Sequence, residues 1–344
     1  MQATSILITG GAGYIGSHAA LRLLELGLRV TVVDNLYRGN LGAVEVLRAA
    51  GGDRFAFHRL DVLDARSVAE AMRAAACDAV LHFAGLAYVG ESVERPLDYF
   101  RANVGGGVEL LRAMRDAGVR RIVFSSTCAT YGEPAPELVP IGESTPQRPI
   151  NPYGRSKLQF EEMLRAECAA PGPTPLAAVA LRYFNVAGSD ERGRIGEDHR
   201  PESHLIPICL QVALGQRPHL TVFGEDYDTP DGTCIRDYVH VEDLVEAHVA
   251  ALDACVPAAL RAWNVGIGRG YSVREVLESC RRVTGHAIPA ARGARRAGDP
   301  PRLCADATAI MRDLGWRPRH TDLDGIVASA WRWMQAHPHG YPLG

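Results

Sequence analysis

The stretch TGGAGYIGSH, residues 9–18, decides the fold of the first half of the chain. Gly11, Gly13 and Gly16 follow the G-x-G-x-x-G spacing of dinucleotide-binding turns. Gly10 extends that pattern by one more glycine. A glycine pattern alone is weak evidence, but here an apolar strand-like run precedes it and an amphipathic helical run follows it. We therefore predict that the turn holds the diphosphate of a dinucleotide at a helix N-terminus, rather than being an ordinary glycine turn.

Asp34 ends the apolar run RVTVVD (29–34), about twenty residues beyond the turn. An acidic side chain at that position of a dinucleotide fold hydrogen-bonds a ribose diol. The same carboxylate would repel the 2′-phosphate of NADP, so we predict NAD as the cofactor. The alternative interpretation is a solvated aspartate after a strand, and the glycine turn disfavours it.

Short apolar runs alternate with amphipathic helical stretches throughout the first half of the chain. Most runs are continuously apolar, as expected of strands buried on both faces of a parallel sheet. Repeated β–α units predict the α/β class with a doubly wound parallel (Rossmann) sheet. The predicted strands are SILIT (5–9), RVTVVD (29–34), FAFHRLD (55–61), AVLHFA (79–84), RIVFSS (121–126) and AAVALRY (177–183), and the two clearest helices are YIGSHAALRLLELG (14–27) and LDYFRANVGGGVELLRAMRDAG (97–118).

The pattern changes after about residue 185, where segments rich in Gly, Pro and Asp separate isolated helical patches. We predict a second, smaller substrate-binding domain there. The predicted division is 1–185 for the NAD-binding Rossmann domain, with returning segments near 235–268, and 186–344 mainly for the smaller domain. A long Pro-rich loop spans 132–152, and loops of that length are usually functional or mobile.

The composition is that of an ordinary globular protein, since 47% of the 344 residues are hydrophobic and 22% are charged. The net charge of −3 gives no electrostatic reason to expect a nucleic-acid partner. The eight cysteines form no C-x-x-C pair, so we predict no zinc or redox motif, no bound metal and reduced thiols in a cytoplasmic protein. We also expect no membrane association, because we find no signal-peptide pattern and no apolar run of roughly 20 residues.

The stretch NPYGRSK, residues 151–157, places a tyrosine and a lysine four residues apart. If Pro152 opens a helix, the Tyr153 phenol and the Lys157 ammonium share one face of that helix. A neighbouring cation favours the phenolate and lowers the pKa of the phenol from about 10, which makes it usable for acid–base chemistry near neutral pH. The spacing alone is common, and an exposed pair on an ordinary helix is the simpler interpretation of this stretch by itself.

Three hydroxyl side chains, those of Ser125, Ser126 and Thr127, lie at the carboxyl end of the predicted strand RIVFSS. Ligands of open α/β sheets bind outside the carboxyl ends of the strands. By themselves these residues would be a polar strand end with local turn bonding. Together with Tyr153 and Lys157, they predict that hydroxyl, phenol and ammonium groups meet at one sheet edge.

These motifs and others occur in the order and spacing of the UDP-glucose 4-epimerases, NAD-dependent enzymes of the extended short-chain dehydrogenase/reductase superfamily. The chain resembles that family over almost its whole length. The resemblance implies reversible C4 epimerisation of UDP-glucose and UDP-galactose through a transient 4-keto sugar and bound NAD, in galactose metabolism. It also implies a homodimer formed through two helices, here within 98–117 and 153–169. The motifs are TGGAGYIGSH (9–18), DNL (34–36), LD (60–61), HFAGLAYVGES (82–92), SSTCATYG (125–132), NPYGRSK (151–157), LRYFNVAG (181–188), HLIP (204–207), DGTCIRDYVHV (231–241) and RRAGDPPRLCAD (295–306).

The resemblance also implies roles for individual residues. Tyr153 would be the catalytic base, Lys157 its electrostatic partner and a ribose ligand, and Thr127 the hydroxyl that bonds the reacting sugar oxygen. NAD would contact Gly10, Gly13, Tyr14, Ile15, Gly16, Asp34, Asn35, Asp61, Val62, Phe83, Ala84, Gly85, Leu86, Asn103, Tyr153, Lys157 and Phe184. The UDP-sugar would contact Ser126, Thr127, Tyr153, Asn185, His204, Leu205, Phe223, Arg236, Tyr238, Arg296, Asp299 and Leu303.

Four positions depart from the residues usual in that family. Ala87 stands where a lysine is frequent, Ala102 where an asparagine is frequent, and His204 replaces a frequent asparagine of the UDP pocket. Leu303 stands where side-chain size gates an N-acetyl group on the sugar, and leucine is of middling size. Epimerisation of N-acetylated or pentose nucleotide sugars is therefore an open alternative.

Two further functions are weaker alternatives. A nucleotide-sugar 4,6-dehydratase would carry an acid pair immediately after the strand-end threonine, where this chain has Cys128 and Ala129. A non-catalytic NAD-binding regulator would have no need for Tyr153 and Lys157 together.

Overall fold

The structure, a computed structural model, describes residues 3–296 and 299–342. Ala297 and Gly298, which belong to the motif RRAGDPPRLCAD, lie outside the described residues. Thirteen strands form in the described part: β1 (Ser5–Thr9), β2 (Arg29–Asp34), β3 (Phe55–Arg59), β4 (Ala79–His82), β5 (Arg121–Ser125), β6 (Ala177–Tyr183), β7 (Asn185–Ala187), β8 (Leu220–Phe223), β9 (Ile235–His240), β10 (Ala259–Val265), β11 (Gly270–Ser272), β12 (Ala290–Gly293) and β13 (Arg302–Leu303).

Helices connect these strands and cover the sheets. Many begin at a residue that caps the helix, as Asn151 does by accepting a hydrogen bond from the Gly154 N–H. The α-helices of the described residues are α1 (Tyr14–Glu25), α2 (Leu41–Gly51), α3 (Ala65–Ala74), α4 (Val89–Glu94), α5 (Pro96–Tyr99), α6 (Gly106–Ala117), α7 (Pro152–Ala169), α8 (Leu205–Ala213), α9 (Val241–Asp253), α10 (Val273–Thr284), α11 (Thr308–Leu314) and α12 (Leu323–Ala336).

The largest sheet has seven strands in the order β3-β2-β1-β4-β5-β6-β10, and every neighbouring pair is parallel. Its first six strands have the order of a dinucleotide-binding sheet. The predicted doubly wound α/β fold is therefore confirmed. The strand order reverses between β1 and β4, and the crevice at such a switch point is where open α/β sheets bind ligands.

Alternation along β1 shows how the sheet is buried. Ile6 and Ile8 pack in one hydrophobic cluster, whereas Leu7 packs in a second cluster, and all three side chains are fully buried. Because successive strand residues point to opposite faces, the two clusters lie on opposite faces of the sheet. Burial on both faces is the reason that the strand sequences are continuously apolar.

Some strands end earlier than their apolar runs predicted. The run 55–61 was expected to be a strand throughout, but β3 ends at Arg59, because the Asp61 side chain accepts a hydrogen bond from the Leu63 N–H and forms a turn. The run 79–84 stops pairing at His82, since the N–H groups of Phe83 and Ala84 both donate to the Thr9 carbonyl. These early ends bring the loops to the edge of the sheet above β1.

The predicted helix 97–118 forms, but it contains a π-helical segment, Phe100–Gly105, between α5 and α6. The helix ends where predicted, at Gly118, whose φ of 77° is the left-handed conformation that favours glycine. π-helical segments are rare and often occur at functional sites. This one carries Asn103, which is buried.

The remaining strands belong to two small sheets. One has the order β11-β9-β13 with β7 paired to β9, and the other pairs β8 with β12. Strand β10 lies in the large sheet beside β6. The division into domains at residue 185 stays a prediction.

Among the described residues, every helix is too short or too polar to cross a membrane.

Candidate active site

The glycine turn lies between β1 and α1, with its backbone folded tightly on itself. The Gly13 N–H donates to the Gly10 carbonyl over 3.2 Å. A Cβ atom at Gly16 would lie 2.2 Å from the same carbonyl oxygen, and a Cβ at Gly10 would lie 2.6 Å from the Ala84 nitrogen. Side chains at these positions would collide with the backbone of the turn and of its neighbour, so glycine is required for this close packing at the N-terminus of α1, where a diphosphate is expected to bind.

Asp34 lies directly beside the glycine turn. One carboxylate oxygen accepts a hydrogen bond of 3.0 Å from the Ala12 N–H, and the other accepts one of 2.8 Å from the Leu36 N–H. Burial raises the pKa of Asp34 above its ordinary value, although these two hydrogen bonds act in the opposite direction. The next residue, Asn35, donates to the Asp61 carboxylate over 2.8 Å. The residues predicted to hold the adenosine half of NAD thus form one connected group.

A second group lies where β4 ends. Asn103 accepts a 2.8 Å hydrogen bond from the Leu86 N–H and donates to the Leu86 carbonyl and the Ser156 hydroxyl. Gly85 has a φ of 151°, and a Cβ there would lie 2.8 Å from Asn103 Oδ1 and 3.7 Å from Lys157 Nζ. The backbone at Gly85 therefore passes close to the predicted catalytic lysine. This cradle of small residues and backbone groups fits NAD.

Other residues predicted at the cofactor surround these two groups. Tyr14 donates its hydroxyl proton to the Gly188 carbonyl over 2.6 Å, and Ile15 packs on the large hydrophobic cluster. Val62 contacts Gly106, where a Cβ would lie 2.9 Å from a Val62 methyl group. The Phe83 ring lies 4.7 Å from that of His248, measured between centroids.

Helix α7 begins at Pro152, as predicted, and places Tyr153 and Lys157 one turn apart. Both side chains are buried. Lys157 Nζ lies 6.0 Å from the centroid of the Tyr153 ring and 4.9 Å from that of Phe124. It donates a 3.0 Å hydrogen bond to the Ser125 carbonyl oxygen. The exposed pair on an ordinary helix is thereby ruled out, because burying an ammonium and a phenol in this way is costly without a function.

Burial outweighs the expected effect of Lys157 on the pKa of the tyrosine when only the chain's own groups are present, and the effect itself stays a prediction. Burial raises the pKa of Tyr153 well above its ordinary value, and the neighbouring Tyr183 raises it further. A hydrogen bond with the Thr127 side chain acts in the opposite direction. Burial also lowers the pKa of Lys157 from 10.5 to about 8. The spacing of Tyr153 and Lys157 predicted a cation near the phenol. It could not predict that burial opposes the charged form of both side chains.

The hydroxyls at the end of β5 divide between two environments. Thr127 caps the short 3₁₀ turn Cys128–Thr130 and lies within hydrogen-bonding reach of Tyr153. Ser126 instead donates over 2.5 Å to the buried carboxylate of Glu161. Its predicted contact with substrate stays a prediction, and its proton is already used within the protein.

Strand pairing brings several of the residues predicted to hold the UDP-sugar close together. Asn185 of β7 pairs with Tyr238 of β9, and Leu303 of β13 pairs with Arg236. Arg236 forms an ion pair with Asp299 and donates a 2.7 Å hydrogen bond to the Pro300 carbonyl. Of the remaining members of this predicted set, Arg296 lies over the Phe223 ring at 4.0 Å, and His204 caps α8, which begins at Leu205. Leu303 packs in a small apolar cluster with Cys128 and with Phe184, a residue predicted at the cofactor.

One network beside the site was missed by the sequence analysis. Glu161 of α7 and Arg182 of β6 form a fully buried ion pair with a contact of 2.6 Å. Arg182 also donates to the Tyr131 hydroxyl over 3.0 Å, and Glu161 accepts from Ser126. Two signals could have revealed the network: an acid one turn after Lys157, and an arginine within the apolar run 177–183. The network ties α7, which carries Tyr153, to two neighbouring strands.

Comparisons with known proteins agree with this arrangement. The model of the NAD dependent epimerase/dehydratase family matches residues 6–266. The chain is 49% identical over 338 residues to the UDP-glucose 4-epimerase of Halalkalibacterium halodurans, which covers 98% of this chain and 97% of that protein. It is 47% identical to the probable UDP-arabinose 4-epimerase 3 of Oryza sativa subsp. japonica, over 98% of this chain and 84% of that one. The solved UDP-glucose 4-epimerase from Bifidobacterium longum, in complex with NAD+ and UDP, superposes with a TM-score of 0.92 at 39% identity and covers 98% of this chain and 100% of that one.

Proposed function

Because the chain belongs to the NAD dependent epimerase/dehydratase family, we propose that it interconverts UDP-glucose and UDP-galactose by inverting C4 of the hexose. The reaction has no net change in oxidation state. One observation supports it above the others. The Tyr153 phenol, hydrogen-bonded to Thr127 and one turn from Lys157, lies at the sheet edge that carries the glycine turn. Acid–base and dinucleotide chemistry therefore share one site.

The chain's own residues supply proton transfer and orientation. Tyr153, as the phenolate, takes the proton of the C4 hydroxyl, and Thr127 bonds the same oxygen and holds it in place. NAD supplies, when bound, a reversible acceptor for the hydride of C4, together with a positive ring charge that favours the phenolate. After the 4-keto sugar has turned its other face to the cofactor, Tyr153 returns the proton to the oxygen. Lys157 keeps a second positive charge within 6.0 Å of the Tyr153 ring centroid throughout.

Epimerisation requires a firmly held nucleotide and a sugar that can turn. Arg236 and Arg296 are the cations suited to the diphosphate, because a guanidinium binds phosphate oxygens with paired hydrogen bonds. Asp299 now pairs with Arg236, so the diphosphate would take the place of a carboxylate partner. The sugar would lie against the apolar cluster of Leu303, Cys128 and Phe184, which offers few polar anchors and so permits it to turn.

A pentose substrate is the second candidate, favoured by the 47% identity to a probable UDP-arabinose 4-epimerase. An N-acetylated hexose is a third, which the size of Leu303 leaves open. The dehydratase alternative is disfavoured, because Cys128 takes the place of an acid and burial raises the pKa of its thiol to about 12. The same buried tyrosine and lysine disfavour a non-catalytic NAD-binding regulator.

The proposal is tested by incubating the purified protein with UDP-galactose, without added cofactor, and following the sugar by proton NMR. Appearance of UDP-glucose would support both the reaction and retention of NAD by the purified protein. UDP-arabinose and UDP-N-acetylgalactosamine, tested in parallel, separate the three substrate classes. No conversion of any of them after NAD has been added would overturn the proposal.

We further propose that the enzyme is a cytoplasmic homodimer. Its cysteines in the described residues are all free thiols, as in reducing compartments. Apolar side chains beside the helices expected at the dimer interface are unusually exposed, namely Leu97 at 80% and Val93 at 64%. Sedimentation of the protein as a monomer at all concentrations would reject the dimer.

A further inference from the structure

We propose that Glu197, His199, Glu202 and His204 bind a divalent transition-metal ion, with Zn²⁺ as the ion of matching chemistry. The four residues lie within eight positions of the chain, between β7 and the first turn of α8. They offer two imidazoles and two carboxylates, a donor set that zinc uses in proteins. This site shares His204 with the residues predicted to contact the UDP-sugar but takes no part in the proposed proton transfer, and it departs from the expectation that the chain holds no metal.

The donor atoms lie near the spacing of a tetrahedral site, except that His204 Nδ1 and a Glu197 oxygen are in direct hydrogen-bond contact. All lie within 4.8 Å of one another. His199 Nδ1 is 3.1 Å from a Glu197 oxygen and 3.9 Å from a Glu202 oxygen, and His204 Nδ1 is 3.6 Å from Glu202. Four ligands at about 2.0–2.2 Å from a tetrahedral Zn²⁺ are about 3.3–3.6 Å apart. A metal would therefore fit once the His204 imidazole and the Glu197 carboxylate had moved apart to this spacing.

An independent observation concerns His199. Its Nδ1 atom is buried and lies 3.1 Å from a Glu197 oxygen, but the two groups are not aligned for a well-formed hydrogen bond. Buried polar atoms almost always have a partner, so an unpaired nitrogen between two carboxylates calls for an explanation. A metal ion at the centre of the four donors would be that partner.

The carboxylates supply a second reason. Only 7% of the Glu197 side chain and 4% of the Glu202 side chain is exposed. Two acids buried so close together repel each other, and the pairing of His204 with Glu197 offsets only one of their charges. A divalent cation would offset both. The N–H groups of Ser203 and His204 hold one Glu202 oxygen at 2.7 and 2.8 Å, and the other oxygen faces His199. Backbone hydrogen bonds that orient a ligand are typical of metal centres.

Two aromatic rings pack beside His199, and a cavity opens onto the proposed site. The Tyr14 ring lies 6.2 Å from the His199 ring, and the Tyr88 ring lies 5.8 Å from it, both edge to face. Glu197, His199 and Glu202 also line a cavity of about 290 Å³, through which an ion can enter. The Nδ1 atom of His204 faces Glu197, and 44% of its side chain is exposed.

A second group with comparable residues, His240, Glu242 and His320, serves as the control. Its imidazoles already have partners: His240 Nε2 bonds Ser329, and His320 bonds both Asp243 and Glu191. No nitrogen of these two rings is buried without a partner among the described residues. Among the described residues, a buried imidazole nitrogen without a well-formed hydrogen bond is therefore found in the first group, at His199, and not in the second.

The test is metal content, which is independent of epimerase activity. The purified full chain is stripped with a chelator, incubated with Zn²⁺, desalted and analysed by mass spectrometry of the metal. We expect one Zn²⁺ per chain, and binding that is weaker by roughly tenfold or more in His199→Ala and in the near-isosteric Glu202→Gln. The control His320→Ala should bind like the wild type. Co²⁺ in the wild type should give the intense visible absorption of a four-coordinate ion.

Each contrary outcome overturns the proposal. Less than half an equivalent of Zn²⁺ in the wild type would do so, as would a six-coordinate Co²⁺ spectrum. Equal binding by wild type, His199→Ala and Glu202→Gln would place the ion elsewhere, and loss of binding in His320→Ala would place it at the second group. The Co²⁺ spectrum needs no variant, so a six-coordinate spectrum overturns the proposal even if the substitutions impair folding.

Discussion

The Lys157 ammonium donates a 3.0 Å hydrogen bond to the carbonyl oxygen of Ser125, and this contact joins the first turns of α7 to the end of β5. Lys157 is therefore fixed by the sheet edge rather than by a direct bond to Tyr153, whose ring centroid is 6.0 Å away. The charge reaches the phenol through a buried, low-dielectric environment, where it is less screened than in water. The lysine is accordingly expected to act on the tyrosine and on a bound ribose at the same time.

Replacing Tyr153 by phenylalanine should remove nearly all turnover while leaving the protein folded and able to hold NAD and UDP. A positioned acid–base group contributes about 10²–10⁴-fold to the rate. The loss should therefore appear in kcat with UDP-galactose, and the NAD content should be unchanged. Tyr183→Phe is the matched control, because it removes a neighbouring phenol that has no proposed role in proton transfer. Near wild-type kcat in Tyr153→Phe would contradict the assignment of Tyr153 as the catalytic base.

Burial of Lys157 predicts a pH dependence of stability. Its pKa is about 8 in the folded protein and 10.5 when unperturbed, so the unfolded chain binds the proton more strongly between these values. The penalty for burying the ammonium is present in full below about pH 8 and fades as the pH rises toward 10.5. Stability of the cofactor-free protein should thus rise with pH in this window, by at most about 3 kcal/mol from this group.

Lys157→Met isolates that effect, because methionine keeps the apolar stem and does not titrate. Urea unfolding of both cofactor-free proteins between about pH 7.5 and 10 should show a more positive slope of unfolding free energy with pH for the wild type. The lost hydrogen bond to Ser125 shifts the variant's stability equally at every pH, so it leaves the slope unchanged. Parallel slopes would show that the lysine is not held in a desolvated site.

Local sequence patterns were sufficient to predict the parts of the site whose structure depends on residues that are close together in the sequence. Glycines at fixed spacing predicted the turn, Pro152 predicted the start of α7, and the run AAVALRY coincides with β6. Each depends on backbone conformation or on the alternation of buried side chains. These properties are encoded within a few residues.

Effects that depend on tertiary distances could not be predicted in this way. The raised pKa of Tyr153 arises from burial among residues far away in sequence, including Tyr183. Ser126 bonds Glu161, 35 residues away, and nothing in the strand-end motif distinguishes that partner from a substrate. The group around His199 was also invisible, because its E-x-H-x-x-E-x-H spacing matches no metal motif used in the sequence analysis.

Gly16→Ala should abolish NAD retention. The added Cβ would lie 2.2 Å from the Gly10 carbonyl oxygen and 2.9 Å from the Gly11 Cα, which are backbone atoms that cannot move aside without opening the turn. Overpacking of this kind typically costs about 1–3 kcal/mol of stability. Gly172→Ala is the control, since a Cβ there meets nothing within 4 Å. NAD released by denaturation and measured by absorbance should be absent from the first variant and normal in the second.

The buried Glu161–Arg182 pair should be more important for stability than the exposed pair on the same helix. Arg182→Met leaves the Glu161 carboxylate buried and uncompensated, which typically costs about 3–5 kcal/mol. Glu167→Gln breaks the pair with Arg115, whose side chain is 60% exposed, and should cost about 1 kcal/mol or less. Urea unfolding of the two variants measures both costs directly.

A double variant distinguishes the loss of a partner from the loss of the pair itself. Combining Arg182→Met with Glu161→Gln removes both charges, so the double variant should be more stable than the sum of the two single losses predicts, by about 0.5–3 kcal/mol. Strict additivity of the unfolding free energies would mean that the two side chains do not act as a unit, and that α7 is held to the sheet by packing alone.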